Sequence, residues 1–299
     1  PYLIDGIIRG DMNLLVDLDQ NKYTFKDNLL NINDLALSFV GDMLILEEAY
    51  LFDISFNAPN NKVSNLFSLI PNAYTQSYDQ VTSQGHASLT GKIKGLYDAE
   101  KGTYPSFVTH AIMQDGRIKY DGFKYPIEDI NLDFTIQSKE GNWHDLSIDF
   151  SRLDFSLDKE QIVGKLKARN VLSDPDYDGL LNGKMNLNTL SKAFPLPQYE
   201  DLKGIVKADI FIKTDQKSIN EKKYANIGFN GNIDIEDFAY IYNDDFPISL
   251  AAAKIKLDPK KIEAEYTDLK LSQSHLEGRL KIKEPLSLLT STDTKIEID

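Results

Sequence analysis

The chain has 299 residues, of which 33 are Lys or Arg and 46 are Asp or Glu, so its formal net charge is −13. A chain this acidic repels phosphate backbones and anionic membrane surfaces at long range, which argues against nucleic acid as a partner. Its hydrophobic fraction of 41% suffices for a large apolar core, and the lack of cysteine excludes disulfide bonds and thiolate metal sites.

Apolar residues alternate with polar ones in short runs between residues 14 and 56, with Gly, Asn and Asp at the breaks. This period of two is typical of a meander of strands. Val63, Leu66 and Ile70 then follow helical spacing and predict a helix over Val63–Ile70, closed by Pro71.

Strands are predicted again in the middle of the chain, and the clearest of them is Ile130–Ile136. Farther on, the apolar residues are even-numbered up to Phe150 and odd-numbered from Leu153. One sheet face cannot accept both sets, so we expect a bulge or bend between these two residues. A similar change of phase separates Ile235 from Phe238.

One stretch, Gln161–Pro197, contains every type of element that recurs elsewhere. A strand over 162–168 is followed by an Asp- and Pro-rich crossing, a second strand over 181–187 and a helix over Leu190–Phe194 that a proline stops. A further helical turn is expected near Pro285–Leu289.

Parts of this pattern repeat along the chain. LFSLIP at 66–71 parallels LSKAFP at 190–195, and FKDNLLNINDLALSF at 25–39 resembles YPIEDINLDF at 125–134. Corresponding landmarks lie roughly 115–125 residues apart, a spacing too long for a helical solenoid.

The repeat predicts one continuous, elongated β-domain. Residues 1–80 would end a preceding unit and carry its helix, residues 81–200 would form the next unit, and residues 201–299 a truncated one. Because Pro1 is not an initiator and Lys295–Asp299 alternate like a strand cut short, we expect the sequence to be a segment of a longer chain. No apolar run approaches the ~20 residues that span a bilayer, so membrane segments are expected outside it.

Glycine, proline and aspartate mark the strand ends in a recurring way. The motifs are Gly91-Lys-Ile-Lys-Gly95-x-Tyr97 with Tyr104-Pro105-Ser-Phe107, Asp115-Gly116-x-Ile118-Lys-Tyr120 with Pro126-Ile-x-Asp-Ile130-Asn-Leu132, and Asn170-x-x-Ser-Asp174-Pro175 with Gly179-x-x-x-Gly183-x-Met185-x-Leu187. At these residues the chain resembles the AsmA-like family of Gram-negative envelope proteins, which includes the TamB relatives. Within that family it resembles the Bacteroidota-type members. The resemblance covers most of residues 23–299.

The resemblance implies a mainly β fold: a long, twisted antiparallel sheet, built from repeated strand units with a few short helices and curled lengthwise into a groove with an apolar interior. It also implies a non-enzymatic role in outer-membrane maintenance, in which a periplasmic groove shields phospholipid or another acyl-chain lipid. Family members are anchored in the inner membrane, and we expect that anchor in an N-terminal helix outside this sequence.

The apolar strand positions are the candidate site, although the core of an ordinary sandwich shows the same alternation. The family resemblance is what favours an open groove. The lipid-groove candidates are Ile118, Tyr120, Leu132, Phe134, Ile136, Ile148, Phe150, Phe155, Leu166, Ile210, Ile212, Phe229, Ile233, Tyr240 and Leu257. The alternative is a structural or adhesive β-repeat protein with a closed core, with calcium over 174–178.

Other chemistry has little support in the sequence. The aspartates of Asp174-Pro-Asp-Tyr-Asp178 imitate an EF-hand loop, but Met185 replaces its bidentate Glu, so we predict a crossing between strands. The four histidines lack partners at metal-ligand spacing, and no nucleophile motif or phosphate-binding loop occurs. We therefore predict no enzyme activity, no cofactor and no metal.

Overall fold

Most of the described residues of the computed structural model lie in strands, and the predicted mainly β fold with a few short helices is confirmed. The structure describes residues 7–67, 81–121, 123–193, 202–242, 246–289 and 296–298. These residues form two compact units. The first unit comprises the described residues within 1–120, 128–153 and 167–174, and the second those within 121–127, 154–166 and 175–299.

The strands are antiparallel: in the first unit, β1 and β2 both pair with β3, and β3 to β7 pair in succession along the chain. In the second unit, β11 to β17 pair in succession. Their bounds are β1 (Ile8–Asp11), β2 (Leu14–Asp17), β3 (Lys22–Ile32), β4 (Leu35–Ile45), β5 (Tyr50–Lys62), β6 (Val81–Tyr97), β7 (Ser106–Tyr120), β8 (Ile127–Ser138), β9 (Ser147–Leu157), β10 (Glu160–Arg169), β11 (Asp176–Asn186), β12 (Lys203–Asp215), β13 (Gly228–Tyr242), β14 (Phe246–Asp258), β15 (Lys261–Leu271), β16 (Ser274–Lys283) and β17 (Ile296–Ile298).

Two predicted helices and the predicted last turn are present. The helices are α1 (Val63–Phe67), α2 (Leu187–Ala193) and α3 (Gln216–Asn220), with 3₁₀ helices at Trp143–Asp145, Tyr224–Asn226 and Pro285–Leu289. Residues 68–71 and 194–195 of the predicted helix ends lie outside the described residues.

Side-chain caps explain where α2 and α3 begin. Helix α2 starts earlier than predicted because the side-chain Oδ1 of Asn186 accepts hydrogen bonds from the N–H groups of Asn188 and Thr189, at 3.0 and 3.4 Å. Helix α3, which the sequence reasoning missed, begins after Asp215, whose carboxylate accepts from the Ser218 N–H at 2.7 Å. Both caps stand at the end of a strand, where period-two alternation hides the helix signal.

The Asp- and Pro-rich crossing is shorter than predicted. Strand β11 already begins at Asp176, so the expected crossing over 174–178 is wrong for its second half. Asp176 and Asp178 pair in register with Asp215 and Lys213 of β12. The N–H of Gln216 donates to the Pro175 carbonyl at 2.7 Å, which fixes the strand start at this point.

Aspartates with positive φ mark the irregular points of the ladder. Asp27, Asp237 and Asp268 have φ of 49°, 50° and 49°, and each lies where a pairing register shifts. Such bulges bend and twist a strand locally. Asp129 of β8 also has a positive φ, of 51°.

The bulge at Asp237 confirms the predicted change of phase between Ile235 and Phe238, because the register shift lies there. In β9, two consecutive exposed residues, Ser151 and Arg152, separate half-buried Phe150 from half-buried Leu153, as a change of phase in this strand requires.

Candidate functional site

The second unit carries an apolar sheet face. The register places the members of each row side by side across β11 to β16. One row consists of Gly183, Ala208, Ile233, Ile255, Ala264 and Leu280, and the next of Leu181, Ile210, Gly231, Leu257, Ile262 and Ile282. Since directly opposite residues of an antiparallel pair share a face, these side chains form a continuous hydrophobic surface within this unit.

The opposite face of the same strands is charged. Its central row consists of Lys184, Lys207, Asp234, Lys254, Glu265 and Arg279. The Lys207 Nζ lies 2.7 Å from Glu236 Oε1, and this hydrogen-bonded ion pair lowers the pKa of Glu236 and raises that of Lys207. A depression of about 690 Å³ on this face is lined by paired charges such as Arg279 with Glu265, at 2.9 Å. This face therefore suits contact with water.

The first unit has an apolar face of the same kind. Its rows include Phe39, Phe56, Gly91 and Thr109, and also Gly41, Ile54, Ile93 and Phe107. The ring of Phe56 lies directly over Gly91, because a Cβ on Gly91 would come 2.2 Å from Phe56 Cζ. On the opposite face, Asp53 binds Lys92 and Lys94 at 2.7 and 2.9 Å, and these hydrogen bonds lower the pKa of Asp53.

The predicted groove residues of the first unit lie on this face wherever contacts locate them. Ile118 and Tyr120 pair with Ser83 and Val81 of β6, which share their face with Ile93. In β8, Asp133 bonds His110 of the polar face at 2.8 Å, so its neighbours in the strand point to the apolar side. Those neighbours are Leu132 and Phe134, and Ile136 follows on the same side. The ring of Phe134 contacts that of Phe150 in β9, the strand that also carries Ile148.

The predicted groove residues of the second unit follow the same rule. Ile212 pairs with Phe229, and Ile210 pairs with Gly231, which in turn pairs with Leu257. Ile233 lies in the adjacent row, between Ala208 and Ile255. Tyr240 pairs with Ile248 beyond the Asp237 bulge. Gly179 pairs with Ile212, and a Cβ on Gly179 would lie 3.6 Å from Leu166, so Leu166 lies beside this pair. Phe155 lies on β9.

None of the fifteen predicted groove residues is fully buried. Fourteen are half-buried, and Ile212 is 44% exposed. Leu181, which lies near Ile212 on the same face, is 43% exposed. The buried hydrophobic residues among those that the structure describes are different ones; seven of the twelve are alanines, and the larger members include Leu35, Val63 and Ile130. The side chains facing a closed core are normally almost completely buried, so the fifteen groove residues do not have the burial of a sandwich interior.

The first unit also contains a pocket, which the sequence reasoning missed. Tyr97 contacts Tyr104, and Tyr104 contacts Trp143, with ring centroids 5.8 Å apart in both pairs. The pocket beneath the last two rings has a volume of about 270 Å³, and Phe56 and Ile93 of the apolar face form part of its wall. Trp143 is the only tryptophan of the sequence, and it is 51% exposed.

The loop that carries Trp143 is held by Asp145. Burial by itself would raise the pKa of Asp145, but hydrogen bonds from the Ser138 hydroxyl and from the backbone N–H groups of Glu140 and Lys139 lower it overall. The Asp145 carboxylate is therefore ionised at neutral pH and ties the loop together.

Among the described residues, no group of three or more His, Asp or Glu is placed to hold a metal ion. The His110–Asp133 pair, at 2.8 Å, and the His275–Asp268 pair, at 3.2 Å, belong to the polar ladders of the sheet. The hydrogen bond from His110 lowers the pKa of Asp133.

Comparisons of the chain with protein-family models, with curated proteins and with solved structures find no match. In the described part of the chain, no helix has both the length and the hydrophobicity needed to cross a membrane.

Proposed function

We propose that this chain binds acyl-chain lipid on the apolar faces of its sheet and shields the lipid from water during transfer, without catalysing a reaction. The observation that carries the proposal is that none of the fifteen aliphatic and aromatic groove residues is fully buried. Exposed apolar patches of this continuity are characteristic of interaction surfaces.

The chemistry of the faces fits a hydrocarbon ligand. The central rows of the second unit hold Ile, Leu, Ala and Gly, which offer no hydrogen bonds, while the ionic groups lie on the opposite side. Each buried CH₂ group contributes about 0.8 kcal/mol, so a chain laid along such rows needs no specific polar contact for useful affinity. A head group would remain in water.

The resemblance of the sequence to the AsmA-like family points in the same direction. In that setting, the segment would work in the periplasm of a Gram-negative cell, anchored to the inner membrane by parts of the protein outside this sequence, and would supply phospholipid for outer-membrane maintenance. The low burial also favours this function over a structural or adhesive repeat, because such a repeat needs a closed core.

The proposal is tested by lipid content and by transfer. The purified protein is extracted with organic solvent and analysed by mass spectrometry, and transfer of a fluorescent phosphatidylglycerol is followed from donor to acceptor vesicles. We expect co-purified phospholipid and transfer that is faster than without protein. Protein that carries no lipid and leaves the transfer rate unchanged would overturn the proposal and favour the structural alternative.

A further inference from the structure

The loop that lines the pocket of the first unit is held by close backbone packing and by hydrogen bonds. Gly141, at φ +67°, brings the loop so close to the preceding hairpin that a Cβ on it would lie 1.8 Å from the Tyr104 carbonyl oxygen. Asp145 fixes the same loop through the N–H groups of Lys139 and Glu140, at 2.7 and 2.8 Å. A preorganised pocket binds without the entropic cost of ordering its walls.

The polar groups at the rim of the pocket are already engaged within the loop. The Ser138 hydroxyl bonds the Asp145 carboxylate and the Asn142 carbonyl oxygen, and the Asn142 side-chain oxygen accepts from the N–H groups of His144 and Asp145. The remaining wall is mainly aromatic and aliphatic carbon from Tyr104, Pro105 and Trp143 above and Phe56, Ile93 and Phe107 below. The ligand group that this wall suits is uncharged and apolar.

The size and position of the pocket narrow the ligand further. Its volume of about 270 Å³ is just under the ~300 Å³ lower limit of typical small-molecule pockets, so it suits one narrow segment of a ligand. Its floor is part of the apolar face itself, because Phe56 and Ile93 belong to the rows described above. An acyl chain that lies on this face can therefore place its end in the pocket.

From these features we infer that the pocket under Tyr104 and Trp143 holds the methyl end of an acyl chain whose remaining length lies on the apolar face of the first unit. This inference rests on the proposed lipid-binding function and adds an end stop to it. Affinity should rise about fourfold for each methylene that leaves water, and the rise should level off once the pocket is filled.

Trp143 provides a direct readout, since no other tryptophan contributes to the fluorescence. The whole chain is titrated with palmitate brominated at the chain end, with palmitate brominated next to the carboxylate, and with unlabelled palmitate. We expect the end-brominated acid to quench Trp143 strongly, the other brominated acid to quench it weakly, and unlabelled palmitate to shift the emission to the blue. Total binding is counted separately with radiolabelled palmitate.

A filling variant tests the pocket itself. Thr109 lines the pocket on the apolar face, and Thr109→Phe should remove most of the quenching by the end-brominated acid. The matched control is Thr90→Phe, which introduces the same ring at an exposed position on the polar face of the neighbouring strand and should leave the quenching unchanged. Circular dichroism of both variants establishes that they fold.

The outcomes separate the two proposals. If radiolabelled palmitate binds but both brominated acids quench Trp143 equally or not at all, the end-stop inference is wrong and lipid binding stands. If no palmitate binds and Trp143 is unaffected, both are wrong. Should Thr109→Phe misfold, the positional dependence of quenching in the unaltered chain still decides the matter.

Discussion

The rings of Phe134 and Phe150 lie on neighbouring strands of the first unit with their centroids 4.9 Å apart, and neither ring is fully buried. An aromatic pair that remains partly open to solvent can be replaced without placing a charge in a sealed core. Replacing one ring of this pair therefore distinguishes an open face from the closed core of a sandwich.

Phe134→Asp should leave the chain folded but abolish photocrosslinking of an acyl-diazirine phospholipid at β8. We expect the free energy of unfolding to fall by about 1–2 kcal/mol, since the aromatic pair contributes about 0.5–1.5 kcal/mol and the new carboxylate can reach water. Urea denaturation and crosslinking are measured together. Thr135→Asp, which puts the same charge on the polar side of β8, should keep wild-type crosslinking, whereas collapse of the Phe134→Asp fold would indicate a closed core.

Gly231→Ala should destabilise the second unit far more than Gly228→Ala in the same strand. Gly231 has φ +146°, and a Cβ there would lie 2.0 Å from the Asp209 carbonyl oxygen, whereas a Cβ on Gly228 would meet nothing closer than 3.7 Å. Backbone strain of this kind costs about 1–3 kcal/mol, to which the steric clash adds. Urea denaturation compares the two variants, and equal midpoints would mean that the backbone at Gly231 relaxes freely.

Asp237→Val should cost about 1–2 kcal/mol because a β-branched residue is poorly tolerated in the left-handed conformation that Asp237 adopts at φ 50°. Asp237→Gly should be tolerated. Asn232→Val, at an exposed position earlier in β13, controls for the loss of a polar side chain. A valine at 237 that melts like wild type would show that the bulge can move along the strand.

Acid should release the Trp143 loop at the pH where Asp145 takes up a proton. The pKa of Asp145 is lower in the folded chain than its ordinary value of about 3.9, so its stabilising contribution is complete above that value and is lost as the pH falls through the lowered pKa. We expect the Trp143 emission to change in that acidic range.

Asp145→Asn gives the corresponding test at neutral pH. The amide cannot accept as strongly from Ser138 and the two backbone N–H groups, so the Trp143 emission of this variant should already be red-shifted at pH 7 and show a smaller acid transition. Emission identical to wild type would mean that other contacts hold the loop. Asp42→Asn is the control, because the Asp42 carboxylate bonds Lys22 and Thr24 of the neighbouring strand β3 and not the loop.

Local alternation in the sequence was enough to assign residues to faces. The run from Ile130 to Ile136 puts Phe134 and Asp133 on opposite sides, and their contacts with Phe150 and His110 confirm this, because side-chain direction in a strand depends only on the neighbouring peptide units. The phase change before Phe238 was equally readable. The same information also located α1 and α2 approximately, but missed α3, because its signal is a cap at the end of a strand.

What covers a face, and where a pocket forms, depended on the tertiary structure. The alternation of Ile210, Ile212 and Phe229 fits a buried core and an open face equally well, and only the packing of the chain leaves Ile212 44% exposed. Likewise, Tyr104 and Trp143 are far apart in sequence and meet because two hairpin loops converge at Gly141. Sequence determines the direction of each side chain, whereas coverage and cavities are sums over contacts between distant segments, which no local pattern contains.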